Sequence, residues 1–135
     1  CSDEKEQIDY DKIPACIYVN PEIASIGYTE EQAAEKFGEN IAVGRFPMVA
    51  NGKTSIEGGK GGLFKVIVYK ENRQIVGAHL YGLHVTEQIG ELSAAMANNI
   101  TVDKMLDVVH PHPSVNEAVG EMFLSAVNGS AIHAR

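Results

Sequence analysis

Apolar residues in this chain come in short, nearly continuous runs over its first two-thirds and at helical spacing over its last third. Residues 1–12 (CSDEKEQIDYDK) carry almost no apolar pattern and are expected to be a linker or tail. Pro14 then opens an apolar stretch, 15–19, that predicts a short strand. Asn20-Pro21 signals a turn, and 23–26 predicts a second short strand ending at Gly27. Thr29-Glu30-Glu31-Gln32 has the form of a capping box, in which the Thr hydroxyl takes one orphan N–H and Gln32 reaches back to another. It predicts a helix with Ala33, Ala34 and Phe37 on its apolar side and Gly38 as its stop. Residues 41–49 look like a strand, with Pro47 marking an edge or a bend.

Residues 50–62 (ANGKTSIEGGKGG) are rich in glycine and polar side chains and predict a flexible loop, with Asn51-Gly52-Lys53 in a solvated turn. Neither of the phosphate-cradling patterns G-x-x-x-x-G-K-S/T and G-x-G-x-x-G occurs there. Residues 63–70 and 74–83 are the clearest strands, and Glu71-Asn72-Arg73 between them suits an antiparallel hairpin. Both are apolar at nearly every position, which predicts that both faces are covered. Gly77 and Gly82 suggest bulges or close backbone approach, and Tyr18, Tyr69 and Tyr81 read as amphipathic packing residues. Thr86 is placed to cap a helix with Ile89, Leu92, Ser93 and Met96 on one face, ending at Asn98-Asn99. Thr101 starts a short helix carrying Met105 and Leu106. After a break at His110-Pro111-His112-Pro113, Val115, Ala118, Val119, Met122, Phe123 and Ala126 recur at helical spacing up to Asn128-Gly129. Strands first and helices afterwards mean an α+β fold: an antiparallel sheet with helices packed on one side.

Charge narrows the partners. Eleven Lys and Arg against 18 Asp and Glu give −7, which argues against nucleic acid or an anionic membrane surface. No apolar run approaches the ~20 residues a membrane-spanning helix needs. Two cysteines, Cys1 and Cys16, make neither a disulfide scaffold nor a C-x-x-C pair, so a reducing compartment is the default. Residue 1 is not Met and no signal peptide follows it, so a piece of a longer polypeptide or a processed product is expected.

One stretch carries candidate chemistry: His110-Pro111-His112-Pro113-Ser114-Val115-Asn116-Glu117. Two prolines hold the backbone extended just before a helix. A helix start at Ser114 brings Glu117 back within reach of His112. A carboxylate on one ring nitrogen fixes the tautomer and stabilises the imidazolium, leaving the other nitrogen to act as a base. Ser114-Val115-Asn116-Glu117 is also a capping box, in which Glu117 bonds the Ser114 N–H. The two readings are compatible, because a carboxylate has two oxygens. The paired histidines with Glu117 invite a metal reading as well. No His or Cys spacing elsewhere completes a known pattern, so no metal is expected. His79, His84 and His133 read as lone surface or core histidines.

In order and spacing, a set of landmarks closely resembles the C-terminal interface domain of the flavin-dependent pyridine nucleotide–disulfide oxidoreductases. They are Ile13-Pro14; Asn20-Pro21-Glu22-Ile23-Ala24-Ser25-Ile26-Gly27-Tyr28-Thr29-Glu30; Phe46-Pro47 with Ala50-Asn51-Gly52; Gly62-Leu63-Phe64-Lys65; Ile75-Val76-Gly77-Ala78-His79; Glu87-Gln88-Ile89; and His112-Pro113-Ser114-Val115-Asn116-Glu117. The likeness runs from about Ile13 to Val127 and is strongest to the branch that oxidises dihydrolipoamide, with the glutathione reductase branch as runner-up. Asn20 stands where the family often has His, and Ser114-Val115-Asn116 where Thr-Leu-Ser is commoner. No C-terminal cysteine pair of the mercuric reductase kind is present.

The resemblance implies the FAD/NAD-linked reductase dimerisation-domain fold over 13–128, with 1–12 as a linker from upstream domains and 129–135 as a C-terminal tail. It implies a homodimer in which His112 projects into the other subunit's active site as the acid/base toward the substrate dithiol, with Glu117 orienting it. His112 and Pro113 would then stand where they can contact the partner subunit's FAD, and the His112–Pro113 bond is expected to be cis. Lipoyl-bearing 2-oxo acid dehydrogenase or glycine cleavage complexes would supply the substrate, in the cytoplasm. The family's flavin site, nicotinamide site and C-x-x-x-x-C disulfide have no counterpart in these residues. The chain alone is therefore expected to bind neither FAD nor NAD and to catalyse nothing. A stand-alone dimerisation module is the alternative.

Overall fold

The hairpin expected between residues 63 and 83 is the centre of the molecule. Strand β4 (Leu63–Tyr69) and strand β5 (Ile75–Gly82) pair antiparallel around a turn closed by the Arg73 N–H donating to the Tyr69 carbonyl at 2.9 Å. Arg73 takes φ 63°, a left-handed conformation that fits a tight turn. The computed structural model describes residues 8–134. The other strands are β1 (Ala15–Ile17), β2 (Glu22–Gly27) and β3 (Ile41–Pro47), and the sheet order is β1-β2-β5-β4-β3 with every neighbouring pair antiparallel. Helix α1 (Glu30–Phe37) joins β2 to β3, α2 (Gly52–Ile56) precedes β4, and α3 (Val85–Ala97), α4 (Val102–Leu106) and α5 (Glu117–Asn128) follow β5. The α+β architecture is the expected one.

Strand alternation divides the side chains between two faces. Phe46, Phe64, Val66, Val68, Ala78 and Leu80 point to the side on which α3 and α5 lie, where Leu92, Met122 and Phe123 complete a fully buried core. The opposite face carries Arg45, Lys65, Ile67 and Tyr69. There α1 lies across the sheet, with Phe37 stacked on Tyr69 at 4.6 Å between ring centroids and Glu30 paired to Arg45 and Lys65. Its capping box forms as expected: Gln32 N–H donates to Thr29 Oγ1 at 3.2 Å and Thr29 N–H to Gln32 Oε1 at 2.9 Å. Eight residues of helix reach only about 12 Å. The second face is therefore not covered throughout, and Ile23, Leu63 and Tyr81 stay partly exposed at its far end. Tyr18 is exposed rather than packed.

Two glycines set the close approaches. A Cβ on Gly44 would sit 2.0 Å from the Met122 carbonyl oxygen and 2.7 Å from Ala126 Cβ, so α5 rides directly on the backbone of β3. A Cβ on Gly77 would meet the Tyr28 carbonyl at 2.1 Å, as the close-approach reading anticipated. The first contact fixes α5, whose N-terminus carries Glu117.

Several local expectations change. The stretch 15–19 keeps only three residues of strand, and Val19 and Tyr18 turn outward. The His112–Pro113 bond is cis as expected, and Asn20–Pro21, expected only as a turn, is cis as well. Strand β3 ends at Pro47 and passes into a 3₁₀ turn, Met48–Ala50. The glycine-rich stretch 50–62 is not all loop, since α2 forms within it, capped by Asn51, whose side chain accepts from Thr54 N–H. Helix α3 starts one residue before Thr86, after His84 in a left-handed conformation. Thr86 is itself capped by the Glu22 carboxylate, which accepts from its N–H at 3.0 Å and its hydroxyl at 2.8 Å. Residues 1–7 of the expected tail lie outside the described residues. Of the rest, Tyr10–Lys12 forms a 3₁₀ turn tied down by the Tyr28 hydroxyl donating to Asp11 at 2.6 Å.

Candidate active site

The segment between α4 and α5 lacks regular structure for a reason in its sequence. Pro111 and Pro113 have no N–H, and the residue before a proline is pushed out of the α region. Among the described residues, no backbone N–H or carbonyl from 109 to 114 is bonded to another backbone group. Side chains hold it instead. His112 Nδ1 donates to Glu117 Oε1 at 2.7 Å, and the other Glu117 oxygen accepts from the Ser114 N–H at 2.8 Å. The orienting contact and the capping contact thus coexist on one carboxylate, as two oxygens permit. Only half of the expected capping box forms. Helix α5 begins at Glu117, not Ser114, and the buried Ser114 hydroxyl has no hydrogen-bond partner among the described residues.

Burial pushes the Glu117 carboxyl up, but the Ser114 N–H, the His112 ring and the nearby charges of His112 and His133 outweigh it. The net pKa lies below the usual glutamate value. Glu117 is therefore a fixed negative charge at neutral pH. A carboxylate only accepts, so the ring nitrogen facing it carries the proton and Nε2 of the neutral ring is left bare. The His112 side chain is 81% exposed, whereas Glu117 is 30% exposed. The ring opens on a cleft of about 290 Å³ whose walls include Phe46, Asn51, Glu121 and His133. The arrangement is a base of fixed tautomer presented to whatever enters that cleft. Pro113 is exposed beside it.

His110 and His112 do not converge on one point. His110 is nearly buried and donates to Glu91 at 2.9 Å, while His112 turns to Glu117. Among the described residues, no group of three or more His, Cys, Asp and Glu side chains is placed to hold a metal ion. His84 and His133 are not lone histidines: they pair with Glu57 at 2.6 Å and Glu121 at 2.5 Å. His79 donates to the Tyr28 carbonyl at 3.0 Å.

Sequence reasoning missed three residues around the site. Asn51, assigned to a solvated turn, is 4% exposed. Its Oδ1 accepts from Thr54 N–H at 2.8 Å and its Nδ2 donates to the Ser114 carbonyl at 3.0 Å. An Asn just ahead of Gly52-Lys53-Thr54 is a recognisable helix cap, but nothing in the sequence ties it to Ser114. Glu91 on α3 accepts from His110 and, at 3.0 Å, from Asn116 Nδ2. Glu121 is buried and accepts from the Ile132 N–H at 2.7 Å and the His133 N–H at 3.3 Å, pinning residues 131–134 over the cleft edge.

Comparison with known proteins points one way. The family described as "Pyridine nucleotide-disulphide oxidoreductase, dimerisation domain" matches residues 13–123. A dihydrolipoyl dehydrogenase of Bacillus subtilis is 39% identical over 126 residues, covering 93% of this chain and 26% of the relative. One from Rhizobium etli is 42% identical over 118 residues, covering 87% of this chain and 24% of the relative. The chain thus spans about a quarter of the length of the curated relatives it matches. Among solved structures, the HOCl-induced flavoprotein disulfide reductase RclA from Escherichia coli superposes with a TM-score of 0.77 at 26% identity. That match covers 82% of this chain and 25% of RclA.

Proposed function

The chain belongs to the pyridine nucleotide–disulphide oxidoreductase dimerisation-domain family, and from that premise we propose that it is the interface domain of a dihydrolipoyl dehydrogenase. In this reading residues 13–128 form the domain, and two copies pair within a homodimer alongside the parent enzyme's other domains. Each subunit lends its His112–Glu117 pair to the partner's active site. The observation that carries the reading is the exposed His112 ring, held through Nδ1 by an ionised Glu117 and lining a cleft.

The chemistry asks for such a group. A thiolate, not a thiol, attacks a disulfide. Nε2 of His112 takes the proton from one thiol of dihydrolipoamide. That thiolate attacks one sulfur of the partner subunit's redox disulfide, breaking its S–S bond and expelling the other sulfur as a thiolate. The second lipoyl sulfur then displaces the enzyme sulfur from the mixed disulfide to close lipoamide and leave the enzyme dithiol. Glu117 stabilises the imidazolium until the proton is returned. Pro113, exposed beside His112, would contact the partner subunit's flavin. FAD, which the parent enzyme's other domains would hold, would supply the two-electron acceptor between the enzyme dithiol and NAD⁺. The substrate arrives on lipoyl-bearing 2-oxo acid dehydrogenase or glycine cleavage complexes in the cytoplasm. The 135-residue chain by itself lacks those parts and is inactive in this reading.

The test is steady-state kinetics of the parent flavoenzyme that contains this domain. His112→Gln lowers lipoamide turnover by orders of magnitude while the melt stays unchanged, since the ring is exposed. An unchanged turnover number ends the catalytic assignment. A parent gene without flavin- and disulfide-bearing regions favours a stand-alone dimerisation module instead.

A further inference from the structure

Among the described residues, 109–114 make no backbone-to-backbone hydrogen bonds, so beyond its two prolines the segment that carries His112 is held by side chains. Two of those side chains come from outside the segment and approach it from different elements. From the loop after β3, buried Asn51 donates through Nδ2 to the Ser114 carbonyl at 3.0 Å, two residues after His112. From α3, Glu91 spreads its two oxygens over His110 at 2.9 Å and Asn116 at 3.0 Å, so that one carboxylate bridges both ends of the stretch around His112. The His110 side chain is only 9% exposed and Glu91 23%, against 81% for His112. The exposed ring is thus mounted on a buried frame.

We propose that Asn51 and Glu91 are positioning residues for His112, together clamping the segment 110–116 so that Glu117 meets Nδ1 and Nε2 faces the cleft. This deepens the acid/base reading of His112 and rests on it for its functional meaning. In this role both act through other groups: Asn51 through the backbone of Ser114, Glu91 through His110 and Asn116.

Asn51 permits a clean separation of roles. Its Oδ1 caps α2 through Thr54, and its Nδ2 holds Ser114. Asn51→Asp keeps the capping oxygen but sets a second oxygen against the Ser114 carbonyl. The experiment is NMR of the 135-residue chain: amide hydrogen exchange at Ser114 and Thr54, and ring ¹⁵N shifts of His112, which report which nitrogen carries the proton. Asn51→Asp is expected to cut Ser114 protection about tenfold or more and to mix the His112 tautomers, while Thr54 protection holds. Glu91→Ala is expected to do the same to Ser114 and His112. Glu91→Gln, which keeps an acceptor for Asn116, should restore much of the wild-type pattern. If Asn51→Asp leaves Ser114 exchange and the His112 tautomer at wild-type values, the clamp is refuted, and that variant decides even if Glu91→Ala fails to fold. A kinetic null for His112→Gln in the parent enzyme, with the NMR result intact, would refute the acid/base reading but not the clamp.

Discussion

Replacing Glu117 with Gln separates charge from shape at the site. The carboxylate makes two bonds, to the part-buried Ser114 N–H and to the His112 ring. Gln occupies the same volume and still offers one oxygen, so the change removes charge assistance more than contact. Bonds to charged groups are worth about 1.5–3 kcal/mol net against about 0.5–1.5 for neutral ones, a loss of about 1 kcal/mol for the Ser114 bond. The His112 side chain is 81% exposed, so water replaces much of that interaction and it adds little. About 1 kcal/mol lowers the Tm of a domain this size by about 3–5 °C.

The sign with pH follows from the lowered Glu117 pKa. A carboxyl depressed in the folded state stabilises it fully above the ordinary glutamate value of 4.5 and loses that contribution as pH falls through the folded value. The gap between wild type and Glu117→Gln should therefore be widest near neutral pH and narrow as pH falls below 4.5 through the folded value. Thermal melts followed by circular dichroism from pH 7 down to pH 3 measure it. A gap as large at pH 3 as at pH 7 would show that volume or capping, not charge, accounts for the loss, and the electrostatic reasoning would fall.

Other outcomes follow from the packing. Gly44→Ala drives a methyl into the Met122 carbonyl and Ala126, and should cost about 1–3 kcal/mol, read by chemical denaturation. Glu121→Ala strips the acceptor from the Ile132 and His133 amides and should abolish their exchange protection while the core of α5 keeps its own; unchanged protection would remove Glu121 as the anchor. Sedimentation at micromolar concentration should show a dimer of this chain, and monomer alone would mean that the domain does not pair without the rest of its enzyme.

Much of the frame was legible in the sequence because its causes are local. The capping box at Thr29, the hairpin turn at 71–73, the Gly38 and Gly129 helix stops and the spacing of Val119, Met122 and Phe123 each act over a few residues. The His112–Glu117 contact was legible for the same reason: five positions apart at a helix entry, they must come close. The expectations that failed were set by neighbours distant in sequence. Thr86 is capped from 64 residues away by Glu22, and Asn51 is buried because it reaches Ser114, 63 residues on. Helix α2 forms in a stretch whose glycines argue for loop, since its Asn51 cap and buried Thr54 outweigh weak propensity.

By itself, then, the sequence determined the order of the strands and the longer helices, the α+β class, the buried face of each long helix and the identity of the histidine-carboxylate pair. Only the tertiary structure decided which way that pair faces. Among the described residues, the proline-broken segment makes no backbone-to-backbone hydrogen bond from 109 to 114, so no helix or strand ladder sets its path. Its path is set by Asn51, Glu91 and Glu117, which reach it from three different elements. Those contacts exist only once α5 has settled on Gly44 and α3 on β2 and β5.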